Sequence, residues 1–207
     1  SRSGTSIWVA DWKTGTLSQL DRDDPSQKRA NHHPKLDFYH PNALTIAGNG
    51  ALFTLDSVAH KIYKHNLSDP SAIAEETPLP TASTLFITMV KGQKDVLAAL
   101  DTFDKKVYFY EPGALKNKPA DGFVLNRDIA ATAISGGKDT LYVLDAKSSF
   151  IYSFIRKKNG KWRSGKRYSA RFQDDILTLG SASAFYIDED ALYVAFEGDP
   201  AKIVLLR

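Results

Sequence analysis

The 207-residue chain has no cysteine, which removes disulfides, thiolate metal sites and cysteine nucleophiles from consideration. It has a single methionine, Met89, so a start codon is expected upstream of Ser1, and Ser1–Ser6 reads as a processed terminus or a remnant of expression. Long apolar runs are also missing. A stretch such as Val96–Leu100 is far short of the roughly 20 residues a spanning helix needs, and no apolar signal-type segment opens the chain. No stretch longer than two turns carries helical periodicity with caps, although Ser68–Ala74 is compatible with one short helical turn. There is no Gly-x-Ser-x-Gly elbow, no phosphate-cradling glycine loop ending in Gly-Lys-Ser/Thr, and no helix that could carry a zincin motif.

What is present is an ordinary globular composition, 43% apolar and 25% charged, with a net charge of +3. A chain of this size can bury a full core without staples, and all-β folds routinely fill it as one domain.

A repeat runs through the whole sequence. Ile7–Asp11, Leu52–Asp56, Leu97–Asp101, Leu141–Asp145 and Leu192–Phe196 resemble one another, and their first residues stand 45, 45, 44 and 51 positions apart. Ten residues after the start of each of the first four comes a second apolar position: Leu17, Ile62, Val107 and Ile151. Upstream of four of them lies a strand with small residues, Ala43–Ala47, Thr84–Thr88, Ala131–Ser135 and Ala184–Ile187. The turns between are Gly48-Asn49-Gly50, Gly92–Asp95, Gly136–Asp139 and Asp188–Asp190, residue types that tolerate tight hairpins. A weaker fourth strand follows in three units, as at Gly122–Leu125 and Arg167–Arg171. Each unit is therefore an antiparallel meander of four strands and about 45 residues, which cannot cover both of its faces alone but can in a radial stack.

This pattern resembles the NHL-type and YncE-like β-propeller repeats, most closely over Ala43–His65 and Ala131–Phe154. The expected fold is all-β, a single propeller domain with units at about 7–42, 43–82, 83–128, 129–180 and 181–207. Strand counting gives three, four, four, four and three, so the expectation is a five-bladed ring with irregular closure and a monomer. The alternative is a fragment of a six- to eight-bladed propeller.

Four carboxylates recur at one point of the repeat: Asp11, Asp56, Asp101 and Asp145. They are candidate ligands for a hard cation such as Ca²⁺. A residue repeated in every unit more often builds the unit, here as an Asx-turn acceptor. The five histidines, His32, His33, His40, His60 and His65, fall within 34 residues but lack a ligand spacing and read as surface groups. Asp21–Asp24 reads as a solvated turn rather than a calcium loop, since the required Gly and distant Glu are missing.

The charge is concentrated in one place. Arg156, Lys157, Lys158, Lys161, Arg163, Lys166, Arg167 and Arg171 lie within 16 residues that contain no acid, interleaved with Trp162 and Tyr168. Asn159-Gly160 marks the tip of an outer hairpin. A polyanion could be held there, with Trp162 as a stacking platform, or the cations could simply guard an exposed strand edge.

The function expected from these features is a non-enzymatic scaffold that presents propeller loops to a protein or carbohydrate partner and needs no cofactor. The alternative is a metal-assisted hydrolase or lyase of the propeller-lactonase type. Against the latter, the inner strands offer Thr45, Thr84, Thr88, Thr132 and Ser135 rather than carboxylates. The missing cysteine does not by itself fix the compartment; together with the missing start and a fold common outside the cytoplasm, the expectation leans to the periplasm or secretion.

Overall fold

The computed structural model describes residues 2–3, 6–21, 23–24, 26–66, 68–145, 147–169, 171–172, 175–176, 182–188, 191–196 and 202–206. Every regular element among them is a strand. The first sheet runs β1 (Arg2–Ser3), β2 (Ser6–Asp11), β3 (Thr16–Asp21), β4 (Lys28–His32). The second runs β5 (Pro41–Ile46), β6 (Leu52–Asp56), β7 (Lys61–Asn66), β8 (Asp69–Pro78). The third comprises β9 (Thr84–Val90), β10 (Val96–Asp101), β11 (Lys106–Tyr110) and β12 (Ala120–Val124). The fourth comprises β13 (Ala131–Gly136), β14 (Thr140–Asp145), β15 (Phe150–Arg156) and β16 (Trp162–Ser169). After a two-stranded ribbon, β17 (Arg171–Phe172) and β18 (Asp175–Ile176), comes a three-stranded fifth sheet: β19 (Ala182–Asp188), β20 (Ala191–Phe196) and β21 (Lys202–Leu206).

All pairings within these sheets are antiparallel and sequential, the meander of a propeller blade. Two local readings are corrected. The first unit has four strands rather than three, because Arg2 and Ser3 pair with Ile7 and Ser6; two residues are too few to show a periodicity. The segment at 68–74 is extended, not helical, since Ile73, Glu75 and Glu76 pair with His65, Lys64 and Tyr63 and so complete the second blade.

Alternation along each central strand covers two blade interfaces at once. In β10, Leu97 and Ala99 pack toward the second blade while Ala98 and Leu100 pack toward the fourth. Four apolar clusters result, one between each successive pair of sheets, centred on Trp8 and Leu52, Phe53 and Leu97, Leu100 and Val143, and Leu144 and Phe185.

The small polar residues of the inner strands join one blade to the next. Thr45 Oγ1 accepts the N–H of Met89 at 2.9 Å, Thr88 Oγ1 that of Gly136 at 2.8 Å, and Ser135 Oγ that of Ile187 at 3.1 Å. A hydroxyl thus satisfies a buried amide that no strand of its own sheet reaches. At Gly136 the approach is so close that a Cβ would sit 2.0 Å from the Met89 carbonyl oxygen.

Packing between blades runs first to second, second to third, third to fourth and fourth to fifth through their inner and adjoining strands. Among the described residues no comparable packing returns from the fifth sheet to the first. That arrangement fits a partial propeller.

Candidate functional site

The repeat gives the molecule two unlike ends. At one, here called the upper end, lie the hairpins between second and third strands and the loops that enter each blade. At the lower end lie the turns between first and second strands and the outer hairpins.

The repeated aspartates sit at the upper end, and each binds its own turn. Asp11 Oδ1 accepts the amides of Lys13 and Thr14, Asp56 Oδ1 those of Val58 and Ala59, Asp101 Oδ1 those of Phe103 and Asp104, and Asp145 Oδ1 that of Ser148. The fourth residue after each Asp closes the turn with a positive φ: Gly15 at 64°, His60 at 53°, Lys105 at 54° and Ser149 at 56°. Two carboxylates also hold the loop that enters their own blade. Asp56 Oδ2 accepts His40 N–H at 2.7 Å, and Asp101 accepts the hydroxyls of Thr81 at 2.6 Å and Ser83 at 2.7 Å. Burial pushes the Asp101 carboxyl up, but the Thr81 and Ser83 hydroxyls and two amides outweigh it and leave it below the usual carboxylate range. Hydrogen bonding to Thr14 holds Asp11 down in the same way. Among the described residues these carboxylates form no group of three with other Asp, Glu or His that could hold a metal.

The histidines disperse. His65 is buried, contrary to its reading as a surface group. Tyr39 O–H donates to Thr54 Oγ1 at 2.6 Å, Thr54 donates to His65 Nε2 at 2.8 Å, and His65 Nδ1–H donates to the Pro70 carbonyl at 2.8 Å. Burial lowers the His65 pKa to about 4, so the ring is neutral and the chain of bonds runs one way. His32 stacks on Trp8, and His40 Nδ1 donates to the Phe38 carbonyl. At 21–24 the turn reading stands: Asp21 accepts the amides of Asp23 and Asp24 and pairs with Arg29.

The upper end also carries a feature the sequence reading missed. Trp12, Phe38, Val58, Phe103 and Val124 are 63–83% exposed, and all lie on these hairpins and loops or at the strand end beside them. Three of them follow a repeated aspartate by one or two positions, in Asp11-Trp12, Asp56-Ser57-Val58 and Asp101-Thr102-Phe103. That recurrence of a large apolar residue inside an otherwise polar turn is the signal that could have found them. Apolar groups gathered on one end of a molecule mark an interaction surface more often than scattered ones do.

The lower end is polar. A hollow of about 230 Å³ between second and third blades is lined by Ala47, Asn49, Lys94, Asp95, Glu111, Pro112 and Gly113, and it is smaller than the ~300–1,000 Å³ typical of small-molecule sites. The basic hairpin projects here, its tip closed by Lys157 N–H to Lys161 O at 2.8 Å with Gly160 at φ 79°. β16 is the outermost strand of its blade, and Lys157, Lys158, Lys161, Arg163, Lys166 and Arg167 are exposed along it and its tip. Arg156 Nη1 donates to the Lys94 carbonyl at 2.8 Å and docks the hairpin on the third blade. Trp162 is not a free platform: its ring stacks on Phe109 at 4.9 Å with 4° between planes, with Phe123 at 5.6 Å. It packs between the third and fourth blades. The backbone of Arg171 pairs with Ile176 in the ribbon, and its side chain lies outside the described residues.

No family profile matches the sequence, and no curated protein does either. Solved structures match the fold. Virginiamycin B lyase from Staphylococcus aureus superposes with a TM-score of 0.60 at 17% identity over 92% of this chain and 59% of the lyase. The WD40 repeats of RRP9 give 0.61 at 11% over 92% of this chain and 54% of that one. KlAtg21, in its complex with the coiled coil of AgAtg16, gives 0.54 at 10% over 97% and 63%. The chain thus spans about three fifths of the length of these structures, and the likeness establishes a β-propeller.

Proposed function

We propose that this chain is a non-enzymatic binding scaffold whose upper end docks a protein partner. The observation that carries the reading is the set of apolar tips at that end, Trp12, Phe38, Val58 and Phe103, held out on turns that the repeated aspartates fix. Rigid turns present these side chains at little cost in ordering on binding, and large apolar side chains dominate interface energetics. The repeated aspartates of the same end are engaged by turn amides and loop hydroxyls, which favours a building role for them over catalysis. Propeller structures in complexes with protein partners, such as that of KlAtg21 with a coiled coil, support the same use of the fold. Within the superfamily, the small–Gly–Asn/Asp–apolar repeat favours the NHL-type and YncE-like group.

A photo-crosslinking side chain placed at Phe103 or Phe38, with Lys138 at the lower end as reference, tests this in cells that make the protein. The same discrete adduct from positions 38 and 103, and not from 138, is expected. Equal labelling from all three positions would remove the upper end as the docking surface.

The second reading, a metal-assisted hydrolase or lyase working at one mouth of the propeller, rests on the likeness to virginiamycin B lyase at 17% identity. Stoichiometric binding of Ca²⁺ or Zn²⁺ that depends on the repeated aspartates would reverse the order of the two.

A further inference from the structure

The outer hairpin of the fourth blade differs from its counterparts in a way that edge protection does not require. In the second blade, the third and outer strands pair cation with anion: Lys61 with Glu76 at 2.6 Å and Lys64 with Glu75 at 2.7 Å. In the first, Arg29 of the outer strand pairs with Asp21. Either sign of charge guards an edge, and these blades guard theirs with balanced pairs. In the fourth, Lys157, Lys158, Lys161, Arg163, Lys166 and Arg167 meet no carboxylate among the described residues. Six exposed cations with no carboxylate beside them among the described residues repel one another, a cost relieved when an anionic ligand arrives.

The geometry is a track. β16 has eight residues, about 27 Å at 3.4 Å per residue. Arg163 stands opposite Ile155 and Arg167 opposite Tyr152, positions that place them on opposite faces of the strand. The tip adds three lysines, and Arg156, bound to the Lys94 carbonyl, joins the track to the lower turns, where Lys91 and Lys138 are exposed and held side by side through Lys91 N–H to Gly137 O at 3.1 Å. The carboxylates nearby are already engaged: Asp95 accepts the Gly92 amide, Asp139 lies against Gly92, and Glu111 pairs with Lys94 at 2.8 Å.

The packing narrows the kind of polyanion. Single-stranded nucleic acid relies on successive rings for its bases, yet Trp162 is stacked on Phe109 and the Arg167 guanidinium lies over Phe150 at 4.1 Å. That leaves Tyr168, 46% exposed and tilted against Tyr142, as a lone partly open ring among the described residues of this strand. A duplex is read by an element that enters its groove, and the Trp162 stack ties the root of this hairpin flat against the third blade. A flexible chain with sulfates along its outside needs neither ring nor groove. It can follow an extended strand and offer pairs of sulfate oxygens to the planar guanidinium groups of arginines on both of its faces. From this juxtaposition we infer that the outer strand and tip of the fourth blade bind a sulfated linear polysaccharide, at a site separate from the apolar upper end.

The test uses heparin fragments as probe, with single-stranded and duplex DNA of equal charge as rivals, titrated over a range of salt. Heparin is expected to bind at least tenfold more tightly than either DNA. Its affinity should fall steeply with salt, because neutralising a polyanion releases its counterions. Reversing Lys157, Lys158, Lys161 and Lys166 to Glu takes the net charge from +3 to −5 and should weaken heparin binding by more than 100-fold. Reversing Lys13, Lys35, Lys105 and Lys147 at the other end makes the same charge change and should cost less than threefold. If the first variant melts early, the pair Lys158→Gln and Lys161→Gln replaces it, with an expected loss of about tenfold. DNA binding as tight as heparin, equal losses in the two reversal variants, or no heparin retention at low salt would each overturn the inference.

Discussion

The two ends of this propeller are built from the same strands by different means. At the upper end, side chains do the construction: a carboxylate folds each hairpin around itself, and the residues left at the tips are free to be large and apolar. At the lower end the backbones themselves come together. Gly136 lies against the Met89 carbonyl, and Lys91 N–H donates to the Gly137 carbonyl while the Lys91 carbonyl accepts the Asp139 N–H, so the backbones leave room there for short side chains or for charged ones at the margin. A repeated residue need not be a repeated function: each aspartate recurs with the turn whose amides it accepts, and the tips are where the units differ.

The sharpest way to break this comparison is at a close approach. Gly136→Ala places a methyl group where Met89 O stands and should cost about 3–4 kcal/mol in a denaturant melt. Gly113→Ala, at the same end with nothing within 4 Å of its new Cβ, should change stability by less than about 0.5 kcal/mol.

His65 gives a pH signature to the buried hydrogen-bond chain it shares with Thr54 and Tyr39. Its folded pKa is held near 4 while an exposed histidine titrates near 6.5, so the unfolded chain takes up the proton first. The contribution is present in full above pH 6.5 and is lost as pH falls toward 4, roughly 3 kcal/mol over that window. In His65→Asn the stability profile between those pH values should be flatter by that amount; an unchanged slope would mean that His65 is protonated in the fold.

At the upper end, Asp101→Ala removes the acceptor for two amides and two hydroxyls in a fully buried setting and should cost about 2–3 kcal/mol. Asp11→Ala removes the acceptor for two turn amides at an exposed turn and should cost below about 1 kcal/mol. The tips themselves should be almost silent: Trp12→Ser with Phe103→Ser leaves stability within about 0.5 kcal/mol per site while removing the photo-crosslinked partner.

Much of this architecture was legible because propeller blades obey a period of two within a period of 45 residues. The strand sets at 52–56, 97–101 and 141–145 stand where the pattern places them, since each alternates between two buried interfaces. Arg2–Ser3 was too short to show, and 69–78 was obscured by Ser, Asp and Pro residues that only its pairing with Lys61–Asn66 makes extended. Trp162 looked like a ligand platform among basic neighbours. Only the third blade, which is more than 35 positions away at Phe123, reveals the ring that covers it. His65 and its partners Tyr39 and Thr54 come from three separate segments, and nothing local to any of them signals the network.

If the repeated carboxylates build turns rather than a metal centre, no divalent cation should stabilise the fold through them. Thermal melting in Ca²⁺ or Zn²⁺ against a chelator, for wild type and Asp101→Asn, decides this, because any ion bound only by the folded chain must raise its stability by mass action. The prediction is that neither ion nor chelator moves the wild-type midpoint, while Asp101→Asn lowers it equally in all three solutions. A midpoint that rises with one ion in the wild type, and not in Asp101→Asn, would contradict the account.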